Sequence, residues 1–279
     1  MNRRDLLNLG MAATMTPAAA HSGNPDCAIR SGGEAVILIH GANHGGWCWR
    51  PVADRFRNMG YRVFTPTLTG LGERKHLRSP GITLSTHIDD IVNLINFEEL
   101  DNVVLVAHSY GGTVLTGVCD RMKDRISQVI FLDANAPAEG QPTIPGLTPE
   151  LAEKITGKPL LDGYLLPPLD PVRMGISPDD TQNTEWLRRN LTEHPLQTLT
   201  EPIRFENGGT EGTHRTFILA TPLDQLQKFA REGTLRIKED PSWHYEELLV
   251  GHDAMVIAPD QTADLFDQII TDKLTSDPA

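Results

Sequence analysis

NVVLVAHSYGGTVLTG, residues 102–117, sets five aliphatic residues in a row (Val103 to Ala107) ahead of one serine, with two glycines and a helix-like pattern behind it. A run this apolar has no face to give to water, so it reads as a strand covered on both sides, the kind found in parallel sheets. The turn behind it is unusually abrupt. Ala107-His108-Ser109-Tyr110-Gly111 has the form small-x-Ser-x-small, which at a strand-to-helix junction marks a strained turn. A serine forced into such a backbone leaves no room for large side chains two residues before or after it. Ala107 stands where glycine is usual and is still small.

The flanking sequence repeats the alternation. AVILIHG (35–41) is a second wholly apolar strand, WRPVADRFRNMG (49–60) a helix stopped by Gly60, and YRVFTPTL (61–68) a strand. THIDDIVNLINFEEL (86–100) puts Ile88, Ile91, Val92 and Ile95 on one helical stripe, with Thr86 and Asp89 spaced like a capping box. A helix from Gly111 to Lys123 and the strand SQVIFLDA (127–134) follow. Further on, RTFILAT (215–221) and YEELLVGHD (245–253) read as strands around a helical LDQLQKFARE, and ADLFDQIITDKL closes as a helix. Strand–helix alternation of this kind predicts an α/β fold, a mostly parallel sheet of about six strands with helices on both faces. Residues 138–213 break the rhythm with ten prolines, yet Leu160, Leu161, Leu165, Leu166, Trp186 and Leu187 supply enough apolar surface to pack. They are read as a helical cap inserted over the sheet.

Composition narrows the partners. A formal charge of −12 and the lack of a basic cluster argue against nucleic acid, and no apolar run is long enough to span a membrane. Three cysteines, with no CxxC pair and no metal-ligand spacing, support neither a disulfide framework nor a metal site. At the start, Arg3-Arg4, a mildly apolar stretch and Ala18 to Ala20 resemble a twin-arginine export signal over residues 1–22, followed by a linker (23–34) and the domain (35–279). The expected location is the periplasm or beyond, and the cytoplasm if that segment is not a signal.

A serine at the tip of a buried strand, with helix N–H groups behind it, is placed as a nucleophile. Of ten histidines, His252 holds the informative position, after LLVG at the last strand and before the final helix, where the order serine, acid, histidine requires the base. The acid has two candidates at strand ends. Asp133 emerges at the tip of the strand beside the serine, whereas Asp224 lies three residues past its strand and behind Pro222. Asp133 is preferred and Asp224 stays open. The glycines of HGANHGGWCW (40–49) allow the Ala42 N–H to face the serine, and with the Tyr110 N–H it is assigned to an oxyanion hole. Tyr110, Trp47 and Trp186 are expected to line an apolar pocket.

With serine, histidine and HG loop in this order, the chain resembles an α/β-hydrolase. Within that superfamily it is similar to the plant methylesterase and hydroxynitrile lyase branch and its bacterial relatives, through IHGANHGGWCWRPVADRFRNMGYRV, VVLVAHSYGG and GHDAM. The resemblance implies a cofactor-free core, a capped acyl pocket and a small-molecule ester as substrate. Some relatives, haloalkane dehalogenases among them, carry the acid at the strand end matching Asp133. Lyases of the branch have a threonine after the first-strand histidine and a lysine after the catalytic one. This chain has Gly41 and Asp253 there, so the resemblance points to ester hydrolysis. A lyase, or a non-catalytic receptor on the same fold, is the alternative.

Overall fold

The computed structural model describes residues 35–276. The expected export signal and linker therefore lie outside the described residues.

Six strands form one sheet in the order β2-β1-β3-β4-β7-β8: β1 Ala35–Ile39, β2 Arg62–Phe64, β3 Val103–His108, β4 Ile126–Leu132, β7 His214–Leu219 and β8 His244–Glu247. Every neighbouring pair is parallel. Alternate residues of the central strands feed two cores. Ile37, Ile39 and Leu105 meet α2 (Leu84–Phe97) and α3 (Gly111–Arg121) through Ile88, Ile91, Val114 and Val118. Val36, Leu38 and Val104 meet α1 (Arg50–Asn58) and α9 (Pro259–Ser276) through Val52, Phe56, Phe266 and Ile270. Each such side chain removed from water contributes roughly 1.5–3 kcal/mol, so burial on both faces holds the sheet.

Between β4 and β7 the chain carries α4 (Pro149–Thr156), the two-residue strand β5 (Leu165–Leu166), α5 (Thr181–Asn190), β6 (His194–Pro195), paired antiparallel with β5, and α6 (Gln197–Thr200). After β7 come α7 (Lys228–Glu239) and, past β8, the short α8 (Ala254–Ile257). Strand order reverses between β1 and β3. The loops leaving those two strands thus border the crevice where open α/β sheets bind ligands.

Several boundaries differ from the sequence reading. The capping box of α2 is Thr83 with Thr86, not Thr86 with Asp89: the Thr83 N–H donates to Thr86 Oγ1 at 3.2 Å, and the helix begins at Leu84. Strand β2 stops at Phe64, because Pro66 has no N–H and the Leu68 N–H is donated to His40 Nε2 at 3.1 Å. LDQLQ is not helical. Gln225 and Leu226 close turns on Pro222 and Leu223, the two leucines pack singly against the core, and α7 starts only at Lys228. Strand β8 ends at Glu247, but its continuation stays fastened to β7 by Leu248 N–H to Leu219 O (2.8 Å) and Gly251 N–H to Ala220 O (3.0 Å).

Candidate active site

Ser109 sits between β3 and α3 with φ +53, in the left-handed region that side chains avoid. The close packing of the turn explains its small neighbours. A Cβ at Gly111 would lie 2.8 Å from the His40 carbonyl oxygen and 2.9 Å from that of Ile39, while Ala107 is fully buried. The turn is tied to its neighbours by Ser109 N–H to Leu132 O (3.3 Å) and Asn135 N–H to Ser109 O (3.0 Å).

Three side chains from separate segments meet here. Ser109 Oγ–H donates to His252 Nε2 at 3.0 Å, and His252 Nδ1–H donates to Asp133 Oδ2 at 2.6 Å. Asp133, itself at φ +47, also accepts from the N–H groups of Ala220 (3.0 Å) and Thr221 (3.1 Å) and from the Thr221 hydroxyl (2.6 Å). Burial pushes the Asp133 carboxyl up, but the His252 bond and charge, with the Thr221 and Ala220 donors, outweigh it and hold it below its ordinary value. Burial likewise pulls His252 down, and the bond to Asp133, its charge and that of Asp253 more than reverse this. The imidazole is thus a stronger base than an ordinary histidine. Asp224, by contrast, is exposed in the turn after β7.

The loop after β1 presses on the serine. A Cβ at Gly41 would come 3.0 Å from Ser109 Cβ and 2.8 Å from His108 Nδ1. Tyr110 is the N-cap of α3, so its N–H has no acceptor a turn earlier in the helix. The Ala42 carbonyl accepts from His44 Nδ1–H at 2.7 Å, which fixes the loop that carries the Ala42 N–H.

The Tyr110 side chain does not line an open pocket as expected. It is buried, its hydroxyl donates to His87 Nδ1 at 2.8 Å, and its ring meets His194 edge-on at 4.8 Å. A polar hydroxyl carried into the core needs that partner. Trp47 does reach the inserted segment, packing edge-on against Trp186 with ring centroids 5.0 Å apart.

Sequence reasoning missed a set of buried imidazoles around the loops. His40 donates from Nδ1 to Gly41 O and accepts at Nε2 from Leu68 N–H. His87 donates from Nε2 to Thr69 O (2.9 Å), and His194 accepts from the Asn43 N–H (3.2 Å) while donating to Thr198 Oγ1 (2.6 Å). Each is locked as a neutral tautomer. Burial, the dominant cause, lowers His40 to about 3, His87 to about 4 and His194 well below its ordinary value. The signal for His87 was present, since it shares the α2 face with Leu84, Ile88 and Ile91. His108, Thr221 and Asp253 carried no such signal.

Asp253 also departs from expectation. It stands where lyases of the branch carry a lysine after the catalytic histidine, yet it is fully buried and faces His44 and His108. His108, His252 and Asp253 each offer a donor atom within 4.8 Å of the others. A metal ion there would compete with bonds already made, because both His252 ring nitrogens and His108 Nε2 are engaged.

The family model described as the alpha/beta hydrolase family matches residues 36–265. The chain belongs to that family. A carbendazim hydrolyzing esterase of Nocardioides sp. (strain SG-4G) is 36% identical over 241 residues, covering 82% of this chain and 96% of the relative. Methylesterase 2 of Arabidopsis thaliana is 34% identical over 112 residues, covering 36% and 39% of the two chains. Among solved structures, an extracellular α/β-hydrolase from a Paenibacillus species superposes with a TM-score of 0.70 at 20% identity, covering 84% of this chain and 98% of the other. A pyrethroid hydrolase from Sphingobium faniae gives 0.67 at 22% identity, covering 84% and 96%. These two support the fold. Family membership and the esterase relative together make this chain an ester-hydrolysing enzyme.

Proposed function

We propose that the chain cleaves small or aromatic carboxylic esters in two steps through a covalent acyl-serine. Ser109 Oγ attacks the carbonyl carbon as His252 Nε2 takes the hydroxyl proton. The carbonyl oxygen, now carrying the negative charge, is held by the N–H groups of Ala42 and Tyr110. The tetrahedral adduct collapses by breaking the ester C–O bond, and His252 passes the proton to the departing alkoxide. Water then repeats the sequence on the acyl-enzyme, releasing the acid and restoring Ser109. Asp133 keeps His252 in the tautomer that offers Nε2 to the serine and stabilises its charged form.

The observation that carries this reading is the unbroken hydrogen-bonded path from Ser109 Oγ through His252 to Asp133, with spacings of 3.0 and 2.6 Å. The close approach of Gly41 to Ser109 speaks against a lyase, because the threonine that enzyme uses would collide there. Carbendazim (a methyl carbamate), methyl jasmonate and a pyrethroid are the first substrates to try, beside p-nitrophenyl esters, since similar proteins are named for them. Ser109→Ala should abolish turnover and labelling by a fluorophosphonate, and Asp133→Asn should cost on the order of 10³–10⁴-fold in kcat, with Asp224→Asn unimpaired. Full turnover in Asp133→Asn would move the acid elsewhere, and an unlabelled Ser109 in folded protein would favour a receptor. The same proposal extends to export. Arg3-Arg4 and the small residues to Ala20 support passage out of the cytoplasm, so lysine at both arginines should leave unprocessed protein inside the cell.

A further inference from the structure

Asp253 follows His252 in the chain, and its carboxylate is completely buried. Neither oxygen has a hydrogen-bond partner among the described residues. A buried carboxylate is among the costliest groups a fold can hold unless charge or donors face it. Two imidazoles do face it: His44 Nε2 lies 3.5 Å from Oδ2 and His108 Nε2 lies 3.7 Å from Oδ1. The Cys48 thiol also feels this charge, and burial, the larger cause, raises it well above the ordinary thiol value.

The two rings belong to the segments that carry the other working groups. His44 stands two residues after Ala42 and donates to the Ala42 carbonyl at 2.7 Å. His108 immediately precedes Ser109 and donates from Nε2 to the His252 carbonyl at 3.0 Å, with its ring centroid 4.5 Å from that of His252. One carboxylate therefore stands beside three segments: the loop of the oxyanion donor, the end of β3 before the nucleophile and the loop of the base. We propose that Asp253 is a positioning residue, a second buried acid that holds these three segments in register around Ser109 and His252. This rests on the reading of Ser109 and His252 given above.

The electrostatics run the same way. Burial works to raise the Asp253 carboxyl, but His44, His108 and His252 around it hold it down at about 2, so the group is ionised. Its negative charge in turn favours the protonated form of His252. Asp133 serves His252 through a direct bond, whereas Asp253 acts on it through charge and through the two rings.

Asp253→Asn keeps the shape and removes the charge. Expected are a fall of at least about tenfold in kcat with little change in KM, and an acid limb of kcat/KM displaced to lower pH by roughly half a unit or more. A residue that merely fills space would not move that limb. His44→Asn, which keeps a donor for the Ala42 carbonyl but withdraws the ring edge from Asp253, should lower kcat in the same direction. The double variant should be no worse than the poorer single one. A folded Asp253→Asn enzyme with wild-type kcat and an unmoved limb overturns the proposal. Should that variant not fold, a wild-type kcat in His44→Asn overturns it instead. Ser109→Ala separates the two levels: activity surviving in it sinks the acyl-enzyme reading itself, while its loss beside a normal Asp253→Asn sinks only the role given to Asp253.

Discussion

Acid should unfold this protein early, through buried histidines other than the base His252. His40, His87 and His108 are buried and lowered, chiefly by that burial, to about 3, 4 and 3. In the unfolded chain the same rings titrate near their ordinary value of about 6.5. A base whose folded value is lowered contributes fully above the unfolded value and loses that contribution as pH falls toward the folded one. At about pH 5 each ring therefore costs about 2 kcal/mol relative to neutral pH, and the three together about 6 kcal/mol. That is comparable with the whole stability of a typical domain, about 5–15 kcal/mol. His194, lowered in the same sense, adds to the loss. His252 runs the other way: raised in the fold, its contribution is present at low pH and fades as pH climbs through its folded value. Urea unfolding between about pH 7.5 and about pH 5 should show a slope of at least about 4 kcal/mol per pH unit at the acid end, as the three rings take up about three protons and His194 adds to them. His87→Gln should reduce that slope by about 1.4 kcal/mol per unit. A free energy of unfolding that stays flat over this range would refute the reasoning, since it would mean that these rings titrate in the fold as they do in water.

Other substitutions probe single contacts. Gly41→Ala puts a methyl group within 3.0 Å of Ser109 Cβ and 2.8 Å of His108 Nδ1, so kcat on a p-nitrophenyl ester should fall roughly 10–100-fold through a displaced nucleophile. Asp120→Ala leaves the N–H groups of Glu206, Asn207 and Gly209, each now 2.8 Å from its carboxylate, without an acceptor. Calorimetry should find a loss of about 3 kcal/mol with kcat unchanged. The Thr221 hydroxyl lies 2.6 Å from the Asp133 oxygen that binds His252, so Asp133→Asn combined with Thr221→Asp should recover part of the activity that Asp133→Asn alone loses. No recovery in a folded double variant would mean that a carboxylate cannot reach His252 from the turn after β7.

What could be read from the chain and what could not divides along a physical line. The central strands announce themselves because burial on both faces leaves an unbroken aliphatic run, as in AVILI and VVLVA. The turn at Ser109 is equally legible, since its backbone admits only small neighbours. Local rules fail where a tertiary partner decides. The α7 region has leucines at helical spacing, yet Leu223 and Leu226 pack singly into the core and the helix forms only downstream. The buried imidazoles draw their partners from far along the chain: His194 bonds Asn43, 151 positions away, and His108 bonds the His252 carbonyl, 144 away. No periodicity records pairings of that kind.

The two acidic residues beside His252 show the same division within one site. Asp133 could be chosen from sequence because a strand tip fixes where its side chain emerges. Strand β4 lies between β3 and β7, so a carboxylate at its end stands next to Ser109 and within reach of the N–H groups at the end of β7. Those donors, Ala220 and Thr221, also keep it ionised when it is buried. Asp253 offered no comparable clue, since adjacency to a histidine says nothing of direction. Its position becomes intelligible only when His44 and His108 are seen on the other side of it. His44 arrives on the loop after β1 and His108 at the end of β3, neither set by the segment containing Asp253. A carboxylate supplied with donors by its own sheet can be inferred from sequence, whereas one balanced by rings from two other strands' ends becomes visible only in the fold.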